Sequence, residues 1–365
     1  MKLAIVRQKY TPFGGAERFV ERALAALTSK GVDVTMVARQ WQGEATNGAH
    51  ALRLDPFFLG RTWRDASFCR AVQGLIAERR FDLVQSHERI PGCDIYRAGD
   101  GVHATWLDLR GRATDRYAPW HRYTLRAEAE MFHHPRLRAV VCNSRMVKDD
   151  IARRFGVAAE KLHVIYNGID LEAFHPRLRA GSGADLRRKV GAGGTATVML
   201  FVGSGYERKG LPTLLRALAQ MRRQDAQLWV VGRDKQEAVM RSLAQTLGVD
   251  SRVMFLGGQT DVRPFYGAAD LFVLPTRYDP LPNAALEALA CGLPLVTTGN
   301  CGAAELLSRE SGAVVAPDDS LALAASLDEV CGRAGVMRDA ARASVAHLDL
   351  AQMAARLMAL YAELL

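Results

Sequence analysis

The sequence predicts an α/β protein built from two doubly wound, parallel-sheet domains in tandem. Three observations point there. Short apolar runs alternate with helical stretches along the whole chain. Several of these runs end in glycine-bearing loops, as strand-to-helix turns do. A chain of 365 residues is also long for one core and suits two domains of ordinary size.

In chain order, Lys2–Val6 reads as a short strand and leads through a Gly-bearing loop into a helix over Ala16–Lys30. Phe19, Val20, Ala23, Leu24 and Leu27 share one face of that helix. Val32–Ala38 follows as a buried strand, and Asp82–Gln85 and Ala139–Cys142 repeat the pattern. Tyr166–Gly194, rich in Gly and Arg, reads as the junction. Beyond it Val198–Val202, Gln227–Val231, Val253–Leu256, Leu271–Leu274 and Leu293–Thr297 are strands with helical stretches between them. Leu350–Leu365 is a strongly apolar helix that must bury its Leu/Met face. Two such domains are expected to face one another across a cleft at the carboxyl ends of their strands, where ligands bind.

With 49% hydrophobic and 24% charged residues the chain reads as globular and soluble. No apolar run approaches the ~18 residues of a transmembrane helix, and the run in MKLAIVRQKY is too short for a signal peptide. Cys69, Cys93, Cys142, Cys291, Cys301 and Cys331 form no CxxC and no metal-like spacing, which fits reduced thiols and a cytoplasmic location. The net charge of +9 is uneven: residues 1–175 carry 27 Lys/Arg against 20 Asp/Glu, and residues 176–365 carry 21 against 19. A polyanionic partner or an anionic membrane surface would meet the first half. No nucleic-acid-binding motif accompanies the charge, so nucleic acid is not expected as a partner.

The most informative stretch is Tyr278–Gly292, YDPLPNAALEALACG. Pro282 suits a first helical turn, and the Ala/Leu run after it favours helix to Gly292. Asp279 would precede that helix and Glu287 lie within it, roughly 10 Å apart at ~1.5 Å per residue. That is the scale of a nucleotide-linked sugar, one acid near the sugar and one near the ribose. The plainer alternative makes Asp279 a helix cap and Glu287 a solvated side chain.

Glycine-bearing turns supply the rest. KYTPFGGAER sets Gly14 and Gly15 between a strand and a helix, either as a phosphate-facing turn or as a plain tight turn. FVGSGYERKG carries Gly203, Gly205 and Gly210, whose spacing fails the dinucleotide fingerprint GxGxxG. Arg208 and Lys209 stand just before a helix starting near Leu211, where cations oppose the helix macrodipole. A pyrophosphate between them accounts for the placement, and two solvated surface cations are the alternative. VVGRDK, with Arg233, and FLGGQTD, with Gln259, are further strand-end turns that can contact a base. In AGDGVH, Asp100 and His103 are spaced to serve substrate hydroxyls, unless Asp100 merely closes an Asx-turn. His87 reads as structural. No D-x-D occurs in the chain, so no metal is expected, and the phosphates would be neutralised by cations and helix ends.

Together these segments resemble glycosyltransferase family 4, retaining enzymes of the GT-B architecture with two Rossmann-like domains. The matching stretches are NGIDLEAFHP at Asn167–Pro176, GSGYERKG at Gly203–Gly210, FLGGQTDVRPFYGAADLFVLP at Phe255–Pro275 and YDPLPNAALEALACGLPLV at Tyr278–Val296. KYTPFGGAER with AGDGVH is similar to the lipopolysaccharide core glucosyltransferase I subgroup. The resemblance implies an acceptor-binding domain over residues 1–170, joined by the helix 350–365, and a nucleotide-sugar-binding domain over residues 171–349. It carries Arg208 and Lys209 to the pyrophosphate, Glu287 to the ribose, Gly14 and Gly15 to the phosphate–sugar junction, and Asp100 with His103 to the acceptor side. The family's acid–x7–acid motif usually opens with Glu, whereas this chain has Asp279, a carboxylate retracted by one methylene. Its loop is usually glycine-rich. Here Pro280 and Pro282 lack an N–H, which leaves Leu281, Asn283 and Ala284 as donors to the sugar.

The function so implied is transfer of a hexose from a UDP-sugar, UDP-glucose first among them, to a lipid-linked or phosphorylated glycan such as the lipopolysaccharide core. It would proceed with retention and without metal or cofactor, at the inner face of the cytoplasmic membrane. His103–Arg138, seven Arg and four His interleaved with Trp106, Tyr117, Trp120, Tyr123 and Phe132, suits that interface. A solvated helical face with ordinary core aromatics is its alternative. A nucleotide-sugar 2-epimerase, a non-catalytic sugar-nucleotide sensor and, less well, an NAD-dependent dehydrogenase are the rival functions.

Overall fold

The computed structural model describes residues 1–10, 31–41, 50–78, 81–191 and 196–365. The expected Ala16–Lys30 helix, Gly14 and Gly15 lie outside them. The chain divides into two units, Met1–Gly168 with Leu350–Leu365, and Ile169–Asp349.

The first unit is a seven-stranded parallel sheet in the order β3-β2-β1-β4-β5-β6-β7. Its strands are β1 (Lys2–Tyr10), β2 (Asp33–Trp41), β3 (His50–Arg53), β4 (Leu83–Ser86), β5 (Ile95–Ala98), β6 (Ala139–Cys142) and β7 (Leu162–Val164). β1 runs four residues past its expected end because Lys9 and Tyr10 still pair with Gln40 and Trp41. Alternate residues of β1 serve opposite faces. Ala4 and Val6 pack with Phe68 and Val72 of the Gly60–Ala77 helix. Leu3 and Ile5 pack with Met353, Leu357, Leu360 and Tyr361. The apolar C-terminal helix, Leu350–Glu363, therefore closes one face of the first unit's sheet. The Tyr361 hydroxyl donates to Gln85 Oε1 at 2.7 Å beneath it.

The second unit is a six-stranded parallel sheet in the order β10-β9-β8-β11-β12-β13. These strands are β8 (Val198–Val202), β9 (Gln227–Val231), β10 (Val253–Gly257), β11 (Leu271–Leu274), β12 (Leu295–Thr298) and β13 (Gly312–Val315). Phe201, Trp229 and Phe272 are fully buried, as strands covered on both faces require. β12 starts two residues later than expected, because Gly292 and Leu293 close the preceding helix through the carbonyls of Leu289 and Ala288. All six cysteines are free and buried. Among the described residues no helix is long and apolar enough to cross a membrane.

Candidate active site

In the second sheet β8 lies between β9 and β11, so chain connections leave it in opposite directions. Loops at such a switch point form a ligand crevice at the strands' carboxyl ends. The loop after β8 carries Arg208 and Lys209, and the loop after β11 carries Asp279. The fold brings these three together. Lys209 Nζ stands 3.0 Å from Asp279 Oδ2, and Arg208 Nη1 3.3 Å from the same oxygen. Here the anion between the two cations is the chain's own Asp279. Burial pushes the Asp279 carboxyl up, but the Lys209 and Arg208 charges outweigh it and hold it below the usual carboxylate range.

The surroundings fix this cluster through the backbone. Arg208 donates to the Tyr278 carbonyl at 2.9 Å. Its own carbonyl accepts from Arg277 N–H at 2.8 Å and Thr276 Oγ1 at 2.9 Å. Asp279 N–H donates to the Asn300 carbonyl and Asp279 O accepts from Gly302 N–H. Asp234 anchors the glycine loop, accepting from Gly205 N–H at 2.6 Å and Tyr206 N–H at 3.1 Å. Gly203, at φ +144°, holds backbone that favours glycine, and a Cβ there would also stand 2.7 Å from Lys209 Cε and push the lysine stem aside. Its glycine makes room for the lysine, which the broken fingerprint did not suggest.

The remaining residues of this unit are placed as follows. Glu287 lies within the helix Asn283–Ala290 and accepts from Tyr266 Oη at 3.0 Å. Pro282 is the residue before that helix rather than in its first turn, and as its N-cap it supplies no side-chain hydrogen bond. Leu281 is buried. Arg233 and Gln259 are exposed. The Arg233 side chain lies against Gly258, and Gln259 donates to the Leu256 carbonyl.

In the first unit Asp100 is exposed in the turn after β5. His103 opens the helix His103–Arg110 and is buried. Its ring stacks on His121, Nε2 to Nδ1 at 3.0 Å, and meets Trp120 edge-on. Asp100 and His103 thus part company, one in solvent and one in an aromatic cluster. Sequence reasoning missed Glu128, only 1% exposed. Its Oε1 accepts from Arg89 Nε and His103 N–H, both at 2.8 Å, and its Oε2 from Ala104 N–H at 3.1 Å. Partners 24 to 39 residues away leave no local signal. Within His103–Arg138, Phe132 joins the core and Trp120 donates to Asp65 at 2.6 Å, while Tyr117 is 82% exposed.

Burial, together with the Arg89, His121 and Arg61 charges, pushes His103 down to about 3. In the unfolded chain it titrates near 6.5. Between those values the unfolded state binds the extra proton, so stability is full above pH 6.5 and falls as pH drops toward 3. His103→Phe is expected to flatten that acid limb in chemical unfolding measured from pH 7 to pH 4. An unchanged slope would show that His103 is not the responsible group.

Among the described residues no group of three or more His, Cys, Asp or Glu side chains is gathered to hold a metal ion. Residues 13–173 match the family model Glycosyltransferase Family 4, and residues 196–332 match Glycosyl transferases group 1. The chain is similar to the lipopolysaccharide glucosyltransferase WaaG of Escherichia coli K12, with 27% identity over 320 residues, covering 87% of this chain and 85% of that protein. It is 34% identical over 145 residues to the lipopolysaccharide core biosynthesis glycosyltransferase LpsE of Rhizobium meliloti, covering 40% and 42% of the two chains. The crystal structure of WaaG superposes with a TM-score of 0.85 at 26% identity, covering 97% of this chain and 98% of that one.

Proposed function

The chain belongs to the family 4 glycosyltransferases of the GT-B fold, and on that premise we propose that it moves glucose from UDP-glucose to a glycan of the lipopolysaccharide core, with retention and without a metal. One observation carries this: two cations and a carboxylate, Arg208, Lys209 and Asp279, are fixed at the switch point of the second sheet. The names of WaaG and LpsE support the acceptor, and that of WaaG the sugar.

In this proposal the second unit holds the donor. Its diphosphate displaces Asp279 from between Arg208 and Lys209, and the released carboxylate turns to a hydroxyl of the sugar. Gly203, the N–H groups of Leu281, Asn283 and Ala284, the Glu287 carboxylate on the ribose, and the loops of Arg233 and Gln259 complete donor binding. The bond from the sugar C1 to the β-phosphate oxygen loosens while negative charge grows on that phosphate. Positioned cations stabilise such charge more than they stabilise the ground state. The acceptor hydroxyl attacks C1 from the face the phosphate leaves, and its proton passes to the departing phosphate oxygen, so no protein nucleophile is needed. Gly14 and Gly15 are assigned to the phosphate–sugar junction, and Asp100 and His103, in the first unit, to the acceptor. The exposed Tyr117 and Leu109, close in sequence to Arg110 and Arg112, support contact of the first unit with an anionic membrane surface.

Thermal unfolding with UDP-glucose, GDP-glucose and ADP-glucose, in the presence of a chelator, tests the donor. UDP-glucose is expected to stabilise the protein by ~2.7 kcal/mol at a hundred times its dissociation constant. A shift that appears only with added magnesium, or with another nucleotide alone, overturns the donor assignment. Inversion at C1, read by NMR of the product, overturns retention.

A further inference from the structure

The end of the second sheet away from Arg208, Lys209 and Asp279 gathers charge of its own. Asp270 stands just before β11, and its Oδ2 accepts from Val198 N–H, at the start of β8, at 2.9 Å. β8 is five residues long, so roughly 16 Å of strand lies between this point and the loop that carries Arg208 and Lys209. Three arginines converge on Asp270. Arg179 Nη2 stands 2.9 Å and Arg338 Nη2 3.6 Å from Oδ1, and Arg187 Nη2 meets Oδ2.

Two of the three serve the fold. Arg179 also donates to the Ala269 carbonyl at 3.0 Å, and Arg187 to the carbonyls of Ala268 at 2.6 Å and Ala196 at 3.3 Å. Arg338 is the exception. Its side chain is only 20% exposed, yet among the described residues its guanidinium finds no hydrogen-bond acceptor, since 3.6 Å is too long for one.

Charge balance points the same way. Three guanidiniums against one carboxylate leave a surplus of two, and among the described residues no second acid pairs with them. Asp339, next in the chain, is exposed. Burial, with the Arg179 and Arg187 charges, pushes the Arg338 guanidinium down and outweighs Asp270. Arg338 is also the first residue of the helix Arg338–Val345, where a cation opposes the macrodipole and Met337 supplies no side-chain cap. An anion seated beside Arg338 offsets the burial, the repulsion and the dipole together. Asp270 does not bar it, because Arg179, Arg187 and Val198 N–H already take up both carboxylate oxygens.

We propose that Arg338, with Arg179 beside it, forms a site for one phosphate dianion, free or as a monoester, at the amino ends of β8 and β11. The guanidinium fork matches phosphate oxygens two at a time, and the dianion matches the surplus charge. Arg179, 44% exposed, leaves the site open to solvent. The site stands whether or not the donor is UDP-glucose.

Isothermal titration calorimetry on the full chain at constant ionic strength tests it, with inorganic phosphate, glucose 6-phosphate and chloride as probes. At least one of the two phosphates is expected to bind saturably and chloride not to. The tighter of the two tells a free ligand from an esterified one. Arg338→Met keeps the aliphatic stem and removes the fork. It is expected to weaken binding about tenfold or more, the scale of one hydrogen bond to a charged group. Lys209→Ala is expected to retain the binding, which separates this site from the one at Asp279. In phosphate-free buffer Arg338→Met is expected to melt at or above the wild-type temperature, since a like charge has gone, and to lose the rise that phosphate gives the wild type. Arg338→Lys, which keeps the charge without the fork, repeats the test should Arg338→Met lose its circular dichroism signature, and weaker binding is again expected. The proposal is overturned if neither phosphate binds saturably, or if chloride binds as they do. It is equally overturned if Lys209→Ala abolishes the binding, or if phosphate binds and stabilises the folded Arg338 variants as it does the wild type.

Discussion

Lys209→Ala is expected to lower sugar transfer by ~10²-fold or more, the scale of removing one preorganised donor from a charge that develops in the transition state. The expectation follows from where the ammonium sits. Lys209 is only 9% exposed and its stem lies against Gly203, so no water of comparable order can replace it at the growing negative charge. The variant also leaves Asp279 buried with Arg208 as its remaining cationic partner at 3.3 Å, and stability is expected to fall as well. The two effects separate in the double variant Lys209→Ala/Asp279→Asn. Removing the stranded charge restores melting temperature toward wild type, while transfer stays low. If Lys209→Ala keeps near wild-type turnover and UDP affinity by calorimetry, the lysine does not serve the diphosphate. If the double variant recovers turnover along with stability, the loss was structural.

The parts of the fold legible in the sequence were those whose signal is local. β6, β8, β9 and β11 fall on the residues expected, because strands buried on both faces read as unbroken apolar runs. β3 (HALR), β7 (LHV) and β13 (GAVV) give no unbroken run of large apolar residues, and β5, IYRA, carries a buried arginine. Arg97 is tolerated there because Asn167 Oδ1 accepts from it at 2.7 Å, a partner 70 residues away that no periodicity reveals. The site divides in the same manner. Arg208, Lys209 and Asp279 were singled out by motif, yet their ion pair depends on β8 and β11 being neighbours, a property of strand order. His103 and Asp100 are close in sequence, but a helix start between them leaves Asp100 exposed in the turn and His103 buried, a difference that spacing does not reveal.

The same long-range logic makes Glu128 a fragile point of the first unit. The helix His103–Arg110 begins after Val102, which supplies no side-chain cap, so its first N–H groups need another acceptor. Glu128 provides it from the helix Pro119–Phe132, taking His103 N–H on one oxygen and Ala104 N–H on the other. It simultaneously neutralises Arg89, whose side chain is 18% exposed. Glu128→Ala therefore removes a cap and strands a largely buried guanidinium, for which ~3–5 kcal/mol is the expected cost. Glu128→Gln keeps one acceptor oxygen and the side-chain volume but loses the charge, so a smaller loss is expected, on the order of 1–3 kcal/mol. Because the chain forms two units, its unfolding need not follow a single step. Calorimetry on the full chain is expected to show the first unit's transition moving down while UDP still stabilises the second. Glu128→Ala melting with the wild-type profile would mean that Arg89 and the helix start find other partners, and the carboxylate would then lose its place as the organiser of this part of the first unit.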